Sequence, residues 1–184
     1  VIFIIAAALL VLEFKWDKGD DFFAPETSDN SNVTYNDREY TLKENIESFL
    51  VIGTDRFSNS DTAESHESGV QADFLMLLVF DNASEKFTAL HINRDTMVNV
   101  DKLAIGGIKV DTFTKQIALS YNYVADDNEK VKCGNVKTSV EHLLNGIKID
   151  HYLSLTMDSV AVMNDLVGGV EVTVLDDFSS VDNT

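Results

Sequence analysis

Short apolar runs of strand length alternate with stretches of helical periodicity from about residue 40 onward. Phe49, Leu50, Val51 and Ile52 form one run and lead into Gly53-Thr54-Asp55-Arg56. Asp73 opens a second run over residues 74–80, and a turn-rich link, 81–86, joins it to a third over residues 87–92. That order predicts a central antiparallel hairpin. Phe113, Ile117, Ala118, Tyr121 and Val124 recur at three- and four-residue spacing, as do Val136, Val140, Leu143 and Leu144, which predicts two helices. Asn135 would cap the second and Gly146 would end it, with the acidic loop 126–130 exposed between them. Residues 151–156 read as a strand, 158–167 as a third helix stopped by Gly168-Gly169, and 170–174 as a further strand. The succession of strands and helices implies a layered α/β sandwich.

The first twelve residues contain no polar side chain. The run is shorter than the roughly 20 residues a bilayer-spanning helix needs, so it reads as part of such a helix, a signal-peptide core or a buried helix. Lys15 and Trp16 stand where interfacial anchors sit and favour the membrane reading. The expected organisation is a partial transmembrane helix over residues 1–16, a polar extracytoplasmic linker over 17–44 and a folded domain over 45–184.

Fourteen Lys and Arg against 31 Asp and Glu give a net charge of −17, which repels phosphate backbones and disfavours nucleic acid as a partner. The lone Cys133 has no second thiol for a disulfide and no metal-ligand spacing around it. The sequence between 126 and 129 is acidic enough to raise calcium binding, yet it lacks the loop spacing of an EF-hand. Chemistry is better sought at the strand ends. Asp55 and Arg56 follow the first run, Asp73 precedes the second, and Arg94-Asp95-Thr96 follow the third. Ligands of open α/β sheets bind beyond strand ends, so this gathering predicts an anionic ligand with a divalent cation between carboxylates and phosphates.

The order Gly53-Thr54-Asp55-Arg56, Asp73, Asn93-Arg94-Asp95-Thr96, Ile149-Asp150-His151-Tyr152 and Asp165-Leu166-Val167-Gly168-Gly169-Val170-Glu171-Val172 resembles the LytR-CpsA-Psr family over roughly residues 46–174. The resemblance implies a mixed-sheet α-β-α sandwich, of which this chain would hold the N-terminal portion, behind a membrane-anchor helix. It implies a single-pass protein of the cell membrane, in a Gram-positive bacterium, with its domain outside the cytoplasm. It also implies an Mg²⁺-dependent phosphotransferase that moves a glycopolymer, such as teichoic acid or capsular polysaccharide, from an undecaprenyl-diphosphate carrier to peptidoglycan. By motif position Asp55 and Asp73 would hold Mg²⁺, Arg94 would clamp the diphosphate with help from Arg56 and Thr96, and Asp95 would orient Arg94 or accept a proton. Leu75, Leu77, Ile117, Leu143, Leu153, Val160 and Val167 are candidates for a slot that takes the carrier lipid, and equally for plain core.

Two positions depart from the family pattern. Gln71 replaces an arginine, and Asn93 replaces a proline before Arg94. The family domain also continues into a segment bearing further arginines, whereas no arginine follows Arg94 here. Residues 1–184 alone are therefore expected to show little transferase activity. A non-catalytic protein that binds polyprenyl phosphate or wall polymer is the alternative.

Overall fold

The computed structural model describes residues 32–55 and 70–173. The chain divides into two compact units, residues 1–42 and 43–184. In the first, β1 (Asn32–Tyr35) and β2 (Arg38–Thr41) form an antiparallel hairpin in register Tyr35 to Arg38. Asn36 and Asp37, both at positive φ, make its two-residue turn, the conformation that asparagine and aspartate tolerate best. Part of the expected polar linker is thus strand, because turn chemistry and β-branched residues outweigh its polar composition. The apolar run over residues 1–12 lies outside the described residues, among which no helix is long and apolar enough to cross a membrane.

The second unit is built on a four-stranded sheet in the order β5-β4-β3-β8. β3 (Ile46–Thr54), β4 (Ala72–Asp81) and β5 (Lys86–Ile92) run antiparallel to their neighbours, while β8 (His151–Leu155) pairs parallel with β3. The sheet is therefore mixed. The expected hairpin of residues 74–80 and 87–92 is β4–β5, although β5 is an edge strand rather than a central one. Alternation along β3 buries Leu50 and Ile52 on one face, in register with Leu75 and Leu77 of β4.

A second ribbon, β6 (Met97–Leu103) with β7 (Lys109–Gln116), is antiparallel and leads through a 3-10 turn, Ile117–Tyr121, towards α1 (Glu129–Leu143). Here the expected first helix is corrected. Phe113 lies in β7, since Val110, Thr112 and Thr114 favour extended backbone and β6 supplies a hydrogen-bonding partner. Only Ile117, Ala118 and Tyr121 keep their helical spacing, within the 3-10 turn, and all three are buried.

Helix α1 starts seven residues earlier than the sequence pattern indicated. Its cap is Asn128, whose side chain accepts from the Lys130 amide at 3.0 Å. Asn135 is instead a buried mid-helix residue whose amide nitrogen donates to the Asp101 and Ser120 carbonyls at 2.9 and 2.7 Å. Gly134 and Ser139 are also buried on this helix, and the Ser139 hydroxyl donates to the Asn135 carbonyl at 2.9 Å. Leu50, Ile52, Leu75, Ile117, Tyr121, Val136 and Val140 form the centre of one core between the sheet and these elements.

α2 (Met157–Leu166) ends as expected at Gly168 and Gly169, both at positive φ, with the Gly169 amide donating to the Asn164 carbonyl at 2.8 Å. It has no buried residue. The expected mixed α/β fold with a mixed sheet is present, and among the described residues α1 covers one face of that sheet. Residues 170–173 are not a strand, for no described strand lies beside them to pair with.

The residues considered for a lipid slot do not share one. Leu75, Leu77 and Ile117 are packed core, whereas Leu153, Val160 and Val167 are exposed.

Candidate functional site

The chain crosses one end of the sheet four times. β3 ends there at Thr54, β4 begins at Ala72, β5 ends at Ile92 and β8 ends at Leu155, where Thr54 Oγ1 donates to the Leu155 carbonyl at 3.4 Å. Opposite the step from Gly53 to Thr54, Phe74 pairs with Gly53 and Ala72 with Thr54. Asp73 is the extra residue of this bulge, a device that re-aims a side chain at a strand end. Gly53 is required by the close approach, since a Cβ there would stand 2.9 Å from the Phe74 Cβ.

Beyond β5 the chain turns sharply. The Asn93 side chain accepts from the Asp95 amide at 2.8 Å, the Asn93 carbonyl from the Thr96 amide at 3.0 Å, and the Arg94 carbonyl from the Ala118 amide at 3.1 Å. Asn93 thus supplies, through an Asx turn, the local stiffness that a proline would give by its ring. Arg94 leaves this turn towards Asp73 and forms an ion pair with it through Nη1. Its other terminal nitrogen, Nη2, donates to Gln71 Oε1 at 2.6 Å. Asp95 lies 3.9 Å from Arg94 Nε and accepts from Gln116 Nε2 at 3.0 Å.

The structure therefore brings Asp73, Arg94 and Asp95 together and puts Asp55 at the same end of the sheet, exposed just after β3. Thr96 is half-buried and acts here through its backbone, whose carbonyl accepts from the Ile117 amide at 2.9 Å. Arg56 lies outside the described residues. Gln71, already singled out in the sequence because it stands where the family pattern has an arginine, joins the cluster as a partner of Arg94. Gln116 is the member that sequence reasoning did not find, since it is placed only by the pairing of β7 with β6.

No group of three potential metal-ligating side chains occurs among the described residues. The donor set still suits a hard cation bound together with a ligand. Asp55, Asp73 and Asp95 set three carboxylates against the single guanidinium of Arg94, so a phosphate approaching these four would meet net negative charge. Mg²⁺ characteristically binds through one or two carboxylates plus substrate oxygens and offsets such an excess. The acidic stretch 126–129 is otherwise employed. Asp126 accepts from the Gly106 and Asn128 amides at 3.0 Å each, Asp127 pairs with Lys132 at 2.6 Å, and Glu129 accepts from Tyr121. These contacts fasten the start of α1 and account for the acids without calcium.

Glu129 also accepts from Ser154 Oγ at 3.3 Å, which brings the start of α1 to the same end of the sheet as Arg94. Beneath it the Cys133 thiol is pushed up to about 12, first by burial, and so stays protonated at neutral pH. Burial likewise raises the Tyr152 hydroxyl. Neither group is a nucleophile at neutral pH.

The model of the LytR_cpsA_psr family matches residues 21–184. The chain belongs to the LytR-CpsA-Psr family. Among solved structures, Streptococcus agalactiae protein gbs0355 superposes with a TM-score of 0.52 at 22% identity, covering 72% of this chain and 40% of that one. Bacillus subtilis TagV gives 0.50 at 24% identity, with 74% and 46% covered. The transcriptional regulator yvhJ of Bacillus subtilis gives 0.50 at 22%, with 72% and 50% covered. These likenesses support the mixed α/β fold of a LytR-CpsA-Psr domain, and the chain spans 40 to 50% of the length of those three structures. No curated protein gives a match.

Proposed function

We propose that this LytR-CpsA-Psr chain is part of a phosphotransferase that moves a glycopolymer from an undecaprenyl-diphosphate carrier to peptidoglycan. The observation that carries this reading is Arg94, held at a strand end between Asp73 and Gln71 while Asp55 and Asp95 stand at the same end of the sheet.

The chemistry is a phosphoryl transfer. A hydroxyl oxygen of the acceptor sugar forms a bond to the phosphorus that carries the glycopolymer, the bond from that phosphorus to the bridging oxygen breaks, and the carrier leaves as its monophosphate. The protein's share of such a reaction is positioning and charge stabilisation. Arg94 would bind the diphosphate oxygens through the N–H groups that Asp73 and Gln71 leave over, a planar fork suited to phosphate. Asp95, exposed and steadied by Gln116, would take the proton of the attacking hydroxyl. Asp55 and Asp73 would hold Mg²⁺, which supplies neutralisation of the diphosphate charge. Residues 1–16 would anchor the chain in the cell membrane with the domain on its outer side, next to both lipid carrier and wall.

The test replaces Arg94 by Ala and Asp73 by Ala in the protein as the cell makes it and measures wall-linked polymer. Both variants should lower linkage by roughly 10²-fold or more, the usual cost of removing a charge-stabilising group. Unchanged linkage in both would remove the enzymatic reading. Retained capture of polyprenyl phosphate by a protein that transfers nothing would instead favour the binding-protein alternative.

A further inference from the structure

We propose that Gln71 is a positioning residue, a neutral brace that fixes the Arg94 guanidinium for an anionic ligand without cancelling its charge. The inference rests on the phosphate-binding reading of Arg94 and goes beyond it by assigning a role to a residue outside the charged set.

Arg94 reaches two different acceptors with its two terminal nitrogens, Asp73 from Nη1 and Gln71 Oε1 from Nη2 at 2.6 Å. A guanidinium only donates, so the side-chain amide of Gln71 must present its oxygen. Each Nη carries two protons. One bond to Asp73 and one to Gln71 therefore pin both arms of the fork and leave a proton on each arm, and the Nε proton, for a ligand. Two anchor points also stop rotation of the plane, which a single ion pair would not. That lowers the ordering cost of binding.

Neutrality matters because this end of the sheet already holds more acid than base. Asp73 and Asp95 both lie against Arg94, at 3.9 Å in the case of Asp95 Oδ1, and Asp55 follows β3 at the same end of the sheet. A carboxylate at position 71 would make the same hydrogen bond and add another negative charge within a few ångströms of an incoming phosphate. An arginine there, as the family pattern has it, would supply a second cation but could not accept from Arg94. Gln71 adds no charge of either sign and accepts from Arg94, holding it in place. The position thus exchanges one phosphate contact for the orientation of another.

The isosteric pair Gln71→Glu and Gln71→Leu separates this role from plain packing. Binding of inorganic pyrophosphate with Mg²⁺ is measured by calorimetry on the full chain, alongside thermal unfolding and the ¹⁵N resonances of the Arg94 guanidinium. Gln71→Glu should keep the unfolding temperature at or above that of the parent yet bind pyrophosphate about tenfold more weakly, from the added charge. Gln71→Leu should bind severalfold more weakly and average the Arg94 Nη resonances that the parent keeps distinct. Equal affinity in the parent and Gln71→Glu overturns the proposal. If the parent binds no pyrophosphate, or Arg94→Ala binds it as well as the parent, the phosphate reading falls and the brace is judged by the resonances. Distinct Nη signals that collapse in Gln71→Leu then sustain it, and signals identical in both proteins refute it.

Discussion

The two ends of the four-stranded sheet use carboxylates in opposite ways. Where β8 begins, Glu141 of α1 accepts from the Ile149 amide at 3.0 Å and from Lys148 Nζ at 3.0 Å, and Asp150 accepts from both the amide and the hydroxyl of Ser48 at 2.8 and 2.7 Å. Those acids end on backbone donors, so they tie α1, β3 and β8 into fixed register. Where β3 ends, Asp73 and Asp95 instead meet the half-exposed side chain of Arg94. A side-chain partner can exchange one acceptor for a ligand, whereas a backbone amide is committed to the fold. The contrast separates fastening charge from working charge without any appeal to the family.

Alanine at each end sharpens the contrast. Glu141→Ala should lower the free energy of unfolding by about 2–3 kcal/mol, because the buried Ile149 amide loses its acceptor and two lysines lose their partner. Arg94→Ala should cost under about 1 kcal/mol, as befits a partly exposed ion pair, although it removes function. Chemical denaturation of both variants measures the difference, and a reversed order would break the distinction.

Gly53→Ala tests whether the site end depends on close strand contact. The added methyl would meet the Phe74 Cβ, which cannot rotate away, so the strands must part beside the Asp73 bulge. Destabilisation of roughly 1–3 kcal/mol is expected, together with loss of phosphate binding. Retained binding with the full loss of stability would show that the placement of Asp73 tolerates movement of its bulge.

The smallest effect lies at the fastening end. Lys43 donates to Asp81, with Ser84 beside it, and they hold that carboxyl well below its ordinary value of 3.8. A depressed folded-state value means that the contribution to stability is fully present above the ordinary carboxylate range and is lost as pH falls towards the folded value. Lys43→Ala should move the Asp81 titration, followed by ¹³C NMR, back towards 3.8. A midpoint unmoved by that change would show that Ser84 alone holds the proton off.

Much of this was legible along the chain. The apolar runs at 49–52, 74–80 and 87–92 all became strands, and Asp73 and Arg94 stand at strand ends as their place in the pattern indicated. β7 was misread because Phe113, Ile117 and Tyr121 happen to fall at helical spacing, while the pairing that makes residues 109–116 a strand comes from β6. Asn135 was misread for a related reason. An asparagine before an apolar stretch resembles a cap, and only the carbonyls of Asp101 and Ser120, far away in sequence, give a buried mid-helix asparagine its partners.

By itself the sequence determined the strands built on the apolar runs at 49–52, 74–80 and 87–92, the acidic balance, and the family to which these motifs belong, because apolar periodicity and turn chemistry act over a few neighbouring residues. Which acceptors hold Arg94 was decided only when β4 and β5 paired. That contact joins residues 23 positions apart, Gln71 to Arg94, and hydrogen-bond geometry over such a separation depends on strand register and on the bulge at Asp73.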